Sequence, residues 1–509
     1  MKMGTCLFAV LTSVSLAGVL YGESPNWPEF RAGGASRIDA SAPLTWSPEA
    51  GIAWQCELDG YGQSTPIIYK QRVFVTSVEG SNKETCTVAC FDLKSGGQLW
   101  RHRFPAAMQT PSSYMMARAA PTPLVDENKV YVFFESGDVA AFDHEGHPQW
   151  RRDLVADFGP LEHSHGLAAS PTQTADLIYL NIEHRGPSYL IALDKATGDT
   201  RWKTKRPSSN SWSSPIALDH QIVISSNGAV TAYDASTGQQ LWNIGDLDGN
   251  NVASATPDAD RLYVGARVSK SDSGDGASRS NLCLARDGAK TPEILWRADK
   301  AVTDYASPVV CGDYVYYLNN VGVVYCLDKR TGEKRYAKRI SAECWATPIV
   351  AQDRIYFFGK HGKTVVLKGG PEFARLSENW LWNPDAPPAP EKYVENVSSD
   401  RSSSRFDNLL ETNDANQDGA LSADELPGRF RSMLERNDQD ENGLLDGAEL
   451  DAAIKAMKVR RAESQQNARD PIVYGAAAAP GRLIIRTGTR LYCVSQPSPA
   501  TSNDESIPQ

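Results

Sequence analysis

The sequence predicts an all-β fold, an eight-bladed β-propeller closed by an N-terminal strand and interrupted by a small α-helical insertion. Three observations carry that expectation: a repeated segment of small residues ending in proline, a recurrent turn ending in glycine, and a tryptophan that closes each unit. The proline segments are Ser64-Thr65-Pro66, Pro121-Thr122-Pro123, Ala169-Ser170-Pro171, Ser213-Ser214-Pro215, Ala255-Thr256-Pro257, Ala306-Ser307-Pro308 and Ala346-Thr347-Pro348, with prolines 40 to 57 residues apart. Four short strands in a period of about 45 residues, with Gly and aromatic markers, is the signature of a propeller blade.

Each element within the unit has a local reason. Usually seven residues after the proline comes an apolar strand, as in Val73-Phe74-Val75, Ile178-Tyr179-Leu180 or Ile355-Tyr356-Phe357. A second strand then ends in Asp and a tight turn, as in Leu193-Asp194-Lys195-Ala196-Thr197-Gly198. Asp accepts from the backbone two residues on, and Gly supplies the positive φ that the hairpin needs. Trp100, Trp150, Trp202, Trp242 and Trp296 close the units, with Tyr336 substituting once. Large rings at this repeat position are expected to pack between blades, not to bind ligands. Seven units end near Trp380, and an eighth runs from Ala476 to Val494 without its own tryptophan strand. Ile52-Ala53-Trp54 has that strand's pattern, so the N-terminal region is expected to close the ring and remove an open edge.

The closing Arg482-Leu483-Ile484-Ile485-Arg486-Thr487, the segment Asn26-Trp27-Pro28-Glu29-Phe30-Arg31 and the two repeats resemble the bacterial pyrroloquinoline-quinone-like (PQQ-like) eight-bladed propellers. The likeness covers about residues 25 to 382 and 470 to 494. Relatives in that family include the propeller lipoprotein of the outer-membrane barrel assembly machinery and the quinoprotein dehydrogenases. The resemblance implies the fold. It says little of function, because propellers host unrelated activities.

Composition and charge narrow the function classes. The chain has 509 residues, 41% hydrophobic and 22% charged, a globular balance. A formal charge of −10 argues against nucleic acid, which demands clustered Lys and Arg. Lys2 followed by an apolar run from Cys6 to Leu20 reads as a signal peptide over residues 1–22, so the mature protein is expected to be periplasmic or extracellular and not an integral membrane protein. Propeller blades are assigned to 23–382, a Pro/Ser-rich linker to 383–399, and the inserted module to 400–461. The final blade follows at 462–495 and a disordered tail at 496–509.

The insertion carries the clearest chemistry. Two twelve-residue stretches match the calcium-loop pattern and resemble a pair of EF-hand loops. A hard cation takes six to eight oxygens, and a bend near the loop's middle needs glycine. In loop one the ligands are expected to be Asp414, Asn416, Asp418, the Ala420 carbonyl, Ser422 and Glu425, with the bend at Gly419. In loop two they are Asp438, Asp440, Asn442, the Leu444 carbonyl, Asp446 and Glu449, with the bend at Gly443. Leu421 and Leu445 are expected to pair in a short strand between the loops, and Phe406, Leu409, Leu410, Phe430, Met433 and Leu434 to lie on flanking helices. The loop starts lie only 24 residues apart, so one helix from Leu426 to Arg436 must serve both, and the usual face-to-face pairing is in doubt. Loop two offers four carboxylates against three and is expected to bind Ca2+ more tightly.

Further candidates lie around the channel mouth. Trp212, Tyr305 and Trp345 each precede the repeated proline by three residues. His163 and His165 alternate, as on one strand face, with His184 as a possible third metal ligand. Cys90, Cys326 and Cys493 fall where other blades have Ala141, Ala192 and Ala232, so they read as small core residues. No Cys-Cys pair is present, which weighs against bound PQQ and a dehydrogenase. The expectation is an exported, non-catalytic, calcium-binding propeller that serves a protein partner in the cell envelope. A PQQ-dependent dehydrogenase and a glycan-binding propeller stand as alternatives, and the calcium module is expected to sit as a cap beside the channel mouth.

Overall fold

The structure, a computed structural model, describes residues 27–112, 116–267, 280–286, 291–298, 300–340, 342–391, 412–426, 442–452 and 471–496, and positions 434, 438 and 440. The expected signal peptide, residues 392–399 of the linker, most of the flanking helices (Phe406, Leu409, Leu410, Phe430 and Met433 included), nearly all of the loop 267–280 and the tail beyond residue 496 lie outside the described residues.

Seven four-stranded sheets and one five-stranded sheet, the latter extended by Arg37–Ile38, account for the described sheets outside the insertion. Blades one to seven follow in chain order from Ile67–Tyr69 to Ala374–Trp380, each running from an inner to an outer strand. Blade eight consists of Gly475–Ala479, Arg482–Arg486 and Arg490–Ser495, and its outer strand is Ile52–Glu57, with Trp54 opposite Cys493. Strand alternation gives way to nearly continuous burial in the second and third strands, as at Arg72–Glu79 and Thr85–Asp92, because both faces pack on neighbouring blades.

The blades are joined by the very residues that mark the repeat. On the outer strand each closing aromatic stands opposite a small residue: Trp100 faces Cys90, Trp150 faces Ala141, Trp202 faces Ala192 and Tyr336 faces Cys326. Cys283, opposite Trp296, belongs to the same set although its sequence context hides it. Every described cysteine is unpaired, and burial pushes the Cys90 thiol up to about 12. The indole N–H groups reach the next blade: Trp150 donates to the Lys195 carbonyl at 3.0 Å and Trp202 to that of Ala235 at 2.9 Å. The turn glycine of that next blade lies flat on the ring. A Cβ at Gly198 would stand 2.7 Å from the Trp150 ring, and its φ is +80°, so glycine is required twice over. Trp242 departs from this pattern and donates to Gln221 of its own blade.

A second device runs around the axis. The Thr65 N–H donates to Thr122 Oγ1, Thr122 to Ser170 Oγ, Ser170 to Ser214 Oγ, Ser214 to Ser254 Oγ, Ser254 to Ser307 Oγ and Ser307 to Thr347 Oγ1, at 2.9 to 3.2 Å. These N–H groups face the channel, where no further strand satisfies them, and buried donors need acceptors. The hydroxyl of the next blade supplies one, and in most blades the following proline has no N–H to place. Blade eight breaks the belt with Gly475, where a Cβ would meet Thr65 Oγ1 at 2.6 Å. Arg486 bridges there instead, donating to the Ser64 carbonyl at 3.2 Å and the Thr76 carbonyl at 2.6 Å.

Residues 27–38 lie against the inner strands. Trp27 pairs with Ile68, the Pro28 carbonyl accepts from Val125, Glu29 from the Thr172 hydroxyl, and Arg31 donates to the Ala255 carbonyl. Ser36 donates to the Pro348 carbonyl at 2.6 Å, and Arg37–Ile38 runs parallel to Ile349–Ala351. One segment thus touches the inner edges of five blades and plugs the channel. Arg31, Ala32 and Ser36 take φ of 58°, 48° and 52°, a left-handed backbone that side chains disfavour and that the surrounding blades impose.

Candidate functional site

Two sites emerge, the channel mouth and the paired acidic loops. The belt hydroxyls position the mouth. Gln63, Ala168, Trp212, Val252, Tyr305 and Trp345 each stand two residues before a belt residue, so the turns present them together, and they line one cavity of about 360 Å³. Three further residues, His165, Arg267 and Tyr474, complete the lining. Tyr305 and Trp345 lie 5.7 Å apart between ring centroids and Trp345 and Tyr474 6.2 Å, both tilted. Lys360 Nζ sits 4.6 Å from the Trp345 ring centroid. Tyr305 is 42% exposed, which is unusual for a ring in this fold and leaves its face open to a ligand.

The three aromatics named from sequence are therefore brought together. The histidines behave differently. Residues 159–171 form a loop, not a strand, so the expected alternation of His163 and His165 on one strand face does not occur. The loop follows from Gly159, Pro160 and Gly166, which interrupt any strand register. His163 packs edge-on against Trp212 at 5.1 Å, and burial holds its ring down at about 4. His165 lines the cavity and also packs on Trp212, at 5.8 Å. His184 is no third ligand. Its Nδ1 accepts from the Glu162 and Gly186 N–H groups and its Nε2 lies 3.0 Å from the Pro187 carbonyl, so both ring nitrogens serve the backbone.

Both ends of the insertion attach beside this mouth. The outgoing chain is pinned at Glu391, a buried carboxylate that accepts from the Thr487 hydroxyl, Gly488 N at 2.8 Å and Thr489 N at 3.1 Å. The returning chain is pinned where Val473 N donates to the Lys360 carbonyl at 2.9 Å. Tyr474 then contributes to the cavity, its hydroxyl 2.8 Å from that of Tyr61.

Within the insertion the two acidic loops have matching shapes. Gly419 and Gly443 both take φ of 81° at the sixth position. Ala420–Ser422 and Leu444–Asp446 form a two-stranded antiparallel ladder with Leu421 opposite Leu445. Both leucines are fully buried, and residues 447–452 are helical. In loop one the Asp414 carboxylate accepts from Asp418 N at 3.2 Å and Gly419 N at 2.9 Å. Glu425 accepts from Ser422 N at 2.9 Å and Ala415 N at 3.1 Å, and the Ser422 backbone and hydroxyl hold its carboxyl below the usual range. In loop two Asp438, Asp440 and Glu449 each offer an oxygen, all within 4.8 Å of one another. Hard oxygen donors at that spacing, bent around a left-handed glycine, suit a divalent cation such as Ca2+.

The architecture and the two repeats define a propeller of the PQQ-like class. The chain belongs to the family whose model is described as outer membrane protein assembly factor BamB, which matches residues 44–180, 139–287 and 284–377. Outer membrane protein assembly factor BamB of Shewanella oneidensis is 26% identical over 236 residues, 43% of this chain and 57% of that protein. BamB of Yersinia pestis is 24% identical over 261 residues, 48% of this chain and 63% of that protein. The chain thus spans about three fifths of the length of these relatives. Among solved structures, BamB from Moraxella catarrhalis superposes with a TM-score of 0.51 at 13% identity, covering 87% of this chain and 96% of that one. A europium-containing methanol dehydrogenase gives 0.52 at 11% identity, covering 70% and 85%. At these identities the solved structures speak to fold alone.

Proposed function

We propose that the protein is an exported, calcium-binding, non-catalytic propeller scaffold that docks a protein partner during assembly in the cell envelope. In this reading Ile52–Glu57 is the strand that closes the ring, and the module assigned to 400–461 is an EF-hand pair holding two Ca2+. The observation that carries it is the open aromatic mouth, Trp212, Tyr305, Trp345 and Tyr474, on the face where both ends of the acidic insertion are pinned. Membership of a family described as assembly factors supports the partner's setting. Loop two's converging oxygens support the metal. The test is a photo-crosslinker placed at Tyr305 in the full chain in its own cells, with calcium present and chelated. A discrete adduct with an outer-membrane assembly protein supports the reading. A crosslinker that labels nothing beyond what one at the exposed Leu99 labels contradicts it.

The rival, a quinone-dependent dehydrogenase, has the methanol dehydrogenase fold likeness in its favour and nothing further. Mixing the purified chain with PQQ and calcium separates the two. A bound chromophore and reduction of an electron-accepting dye would establish the rival.

A further inference from the structure

A smaller cavity of about 100 Å³ adjoins the mouth and shares Tyr305, Trp345 and Tyr474 with it. Its remaining lining comes from the plug and the belt, including Trp27, Arg31, Ser36, Thr65 and Thr347. Arg31 is the unusual member. It is 2% exposed, and its partners are neutral: the Ala255 carbonyl at 2.9 Å, the Thr256 hydroxyl, and the Ser254 and Pro308 carbonyls at 3.5 Å. Its Nε has no hydrogen-bond partner. Arg486 is likewise buried with neutral hydrogen-bond partners, whereas two other buried cations are neutralised. Arg206 lies 2.6 Å from Glu183, and Lys83 lies 3.3 Å from Glu135. Arg31 has no ion-pair partner among the described residues, and burial alone holds its guanidinium down at about 9.

A buried, unneutralised cation is costly, and proteins keep such charges where an anion completes them. The cavity has room for about three waters, at roughly 30 Å³ each, or for one carboxylate. We infer that the channel mouth is a two-part ligand site in which the aromatic cavity takes an apolar ring or side chain and Arg31, with the Thr65 and Thr347 hydroxyls, takes an attached carboxylate. The inference rests on the mouth being a ligand site, as proposed above. The carboxylate could be the C-terminus of a peptide or the acid group of a uronic sugar, and both present the same anion on a body that stacks on aromatic faces.

The experiment is a calorimetric titration of the full chain with two matched pairs: N-acetyl-tryptophan against its amide, and galacturonate against galactose. A charge-assisted hydrogen bond in a buried site contributes about 1.5–3 kcal/mol, so the acid of at least one pair binds about tenfold or more tightly than its neutral partner. Which pair responds tells a peptide end from a sugar. Trp345→Ala weakens acid and neutral forms alike, whereas Arg31→Gln abolishes the difference between them. The wild-type comparison stands on its own if Arg31→Gln fails to fold. Equal affinities within both pairs, or no binding of either acid at millimolar concentration, overturns the inference. The titration contains neither calcium nor an envelope protein, so its failure leaves the crosslinking result and the metal loops untouched.

Discussion

At the scale of single residues, the repeat markers act as joints between blades. Gly198 accommodates the Trp150 ring and a left-handed backbone at once, so Gly198→Ala incurs both strain and overlap. A loss of about 2 kcal/mol or more is expected from left-handed strain plus overpacking, read as a lowered denaturant midpoint. Gly97, one residue past the corresponding turn glycine of blade one, has open space on that side and serves as the control, since only Ser95 Oγ comes near at 3.4 Å. Glu29 gives a pH signature. Burial raises its carboxyl from 4.5 to about 7, against the opposing effects of the Thr172 hydroxyl, Lys195 and the Gln173 backbone. The folded state thus prefers the protonated acid, a contribution fully present below about 4.5 and lost as pH rises through about 7. Glu29→Gln removes that dependence, so the variant gains stability relative to the wild type between pH 5 and 8, measured by thermal melts across the range. A wild-type and variant difference that stays flat with pH would show that Glu29 is ionised throughout.

At the scale of elements, the strands, their order of burial and the closing tryptophans were legible in the sequence because each follows from a local periodicity and one turn chemistry. The belt was not. Thr65, Ser170 and Ser214 read as small residues before proline, and the hydroxyls that accept from their N–H groups lie 40 or more residues away in the next blade. Removing one acceptor should strand a buried donor. Ser254→Ala leaves the Ser214 N–H unpaired and is expected to lower stability by about 1–3 kcal/mol in denaturant unfolding. The mouth was half legible. Trp212, Tyr305 and Trp345 stand out as aromatics, whereas Gln63, Ala168 and Val252 occupy the same repeat position and are recognised only once the belt sets the register. The histidine pair misled because alternation suggests a strand, and Gly159, Pro160 and Gly166 outweigh it. In the insertion, Leu421 and Leu445 stand paired despite the short spacing of the two loops.

At the scale of the whole molecule, the propeller is a ring whose channel is filled by residues 27–38 and whose mouth is walled by aromatics. The acidic insertion leaves at Glu391 and returns at Val473, both beside the mouth that the partner is proposed to use. Calcium is the part of this account that a single measurement decides. The purified protein is titrated with calcium in a calorimeter beside the Glu425→Gln, Glu449→Gln double variant. The account predicts two sites in the wild type, the tighter from loop two, with affinities of about 10⁻⁴ to 10⁻³ M, as for extracellular modules of this kind, and neither site in the variant. No heat at millimolar calcium, or equal heat in both proteins, would contradict it and leave a propeller without its metal.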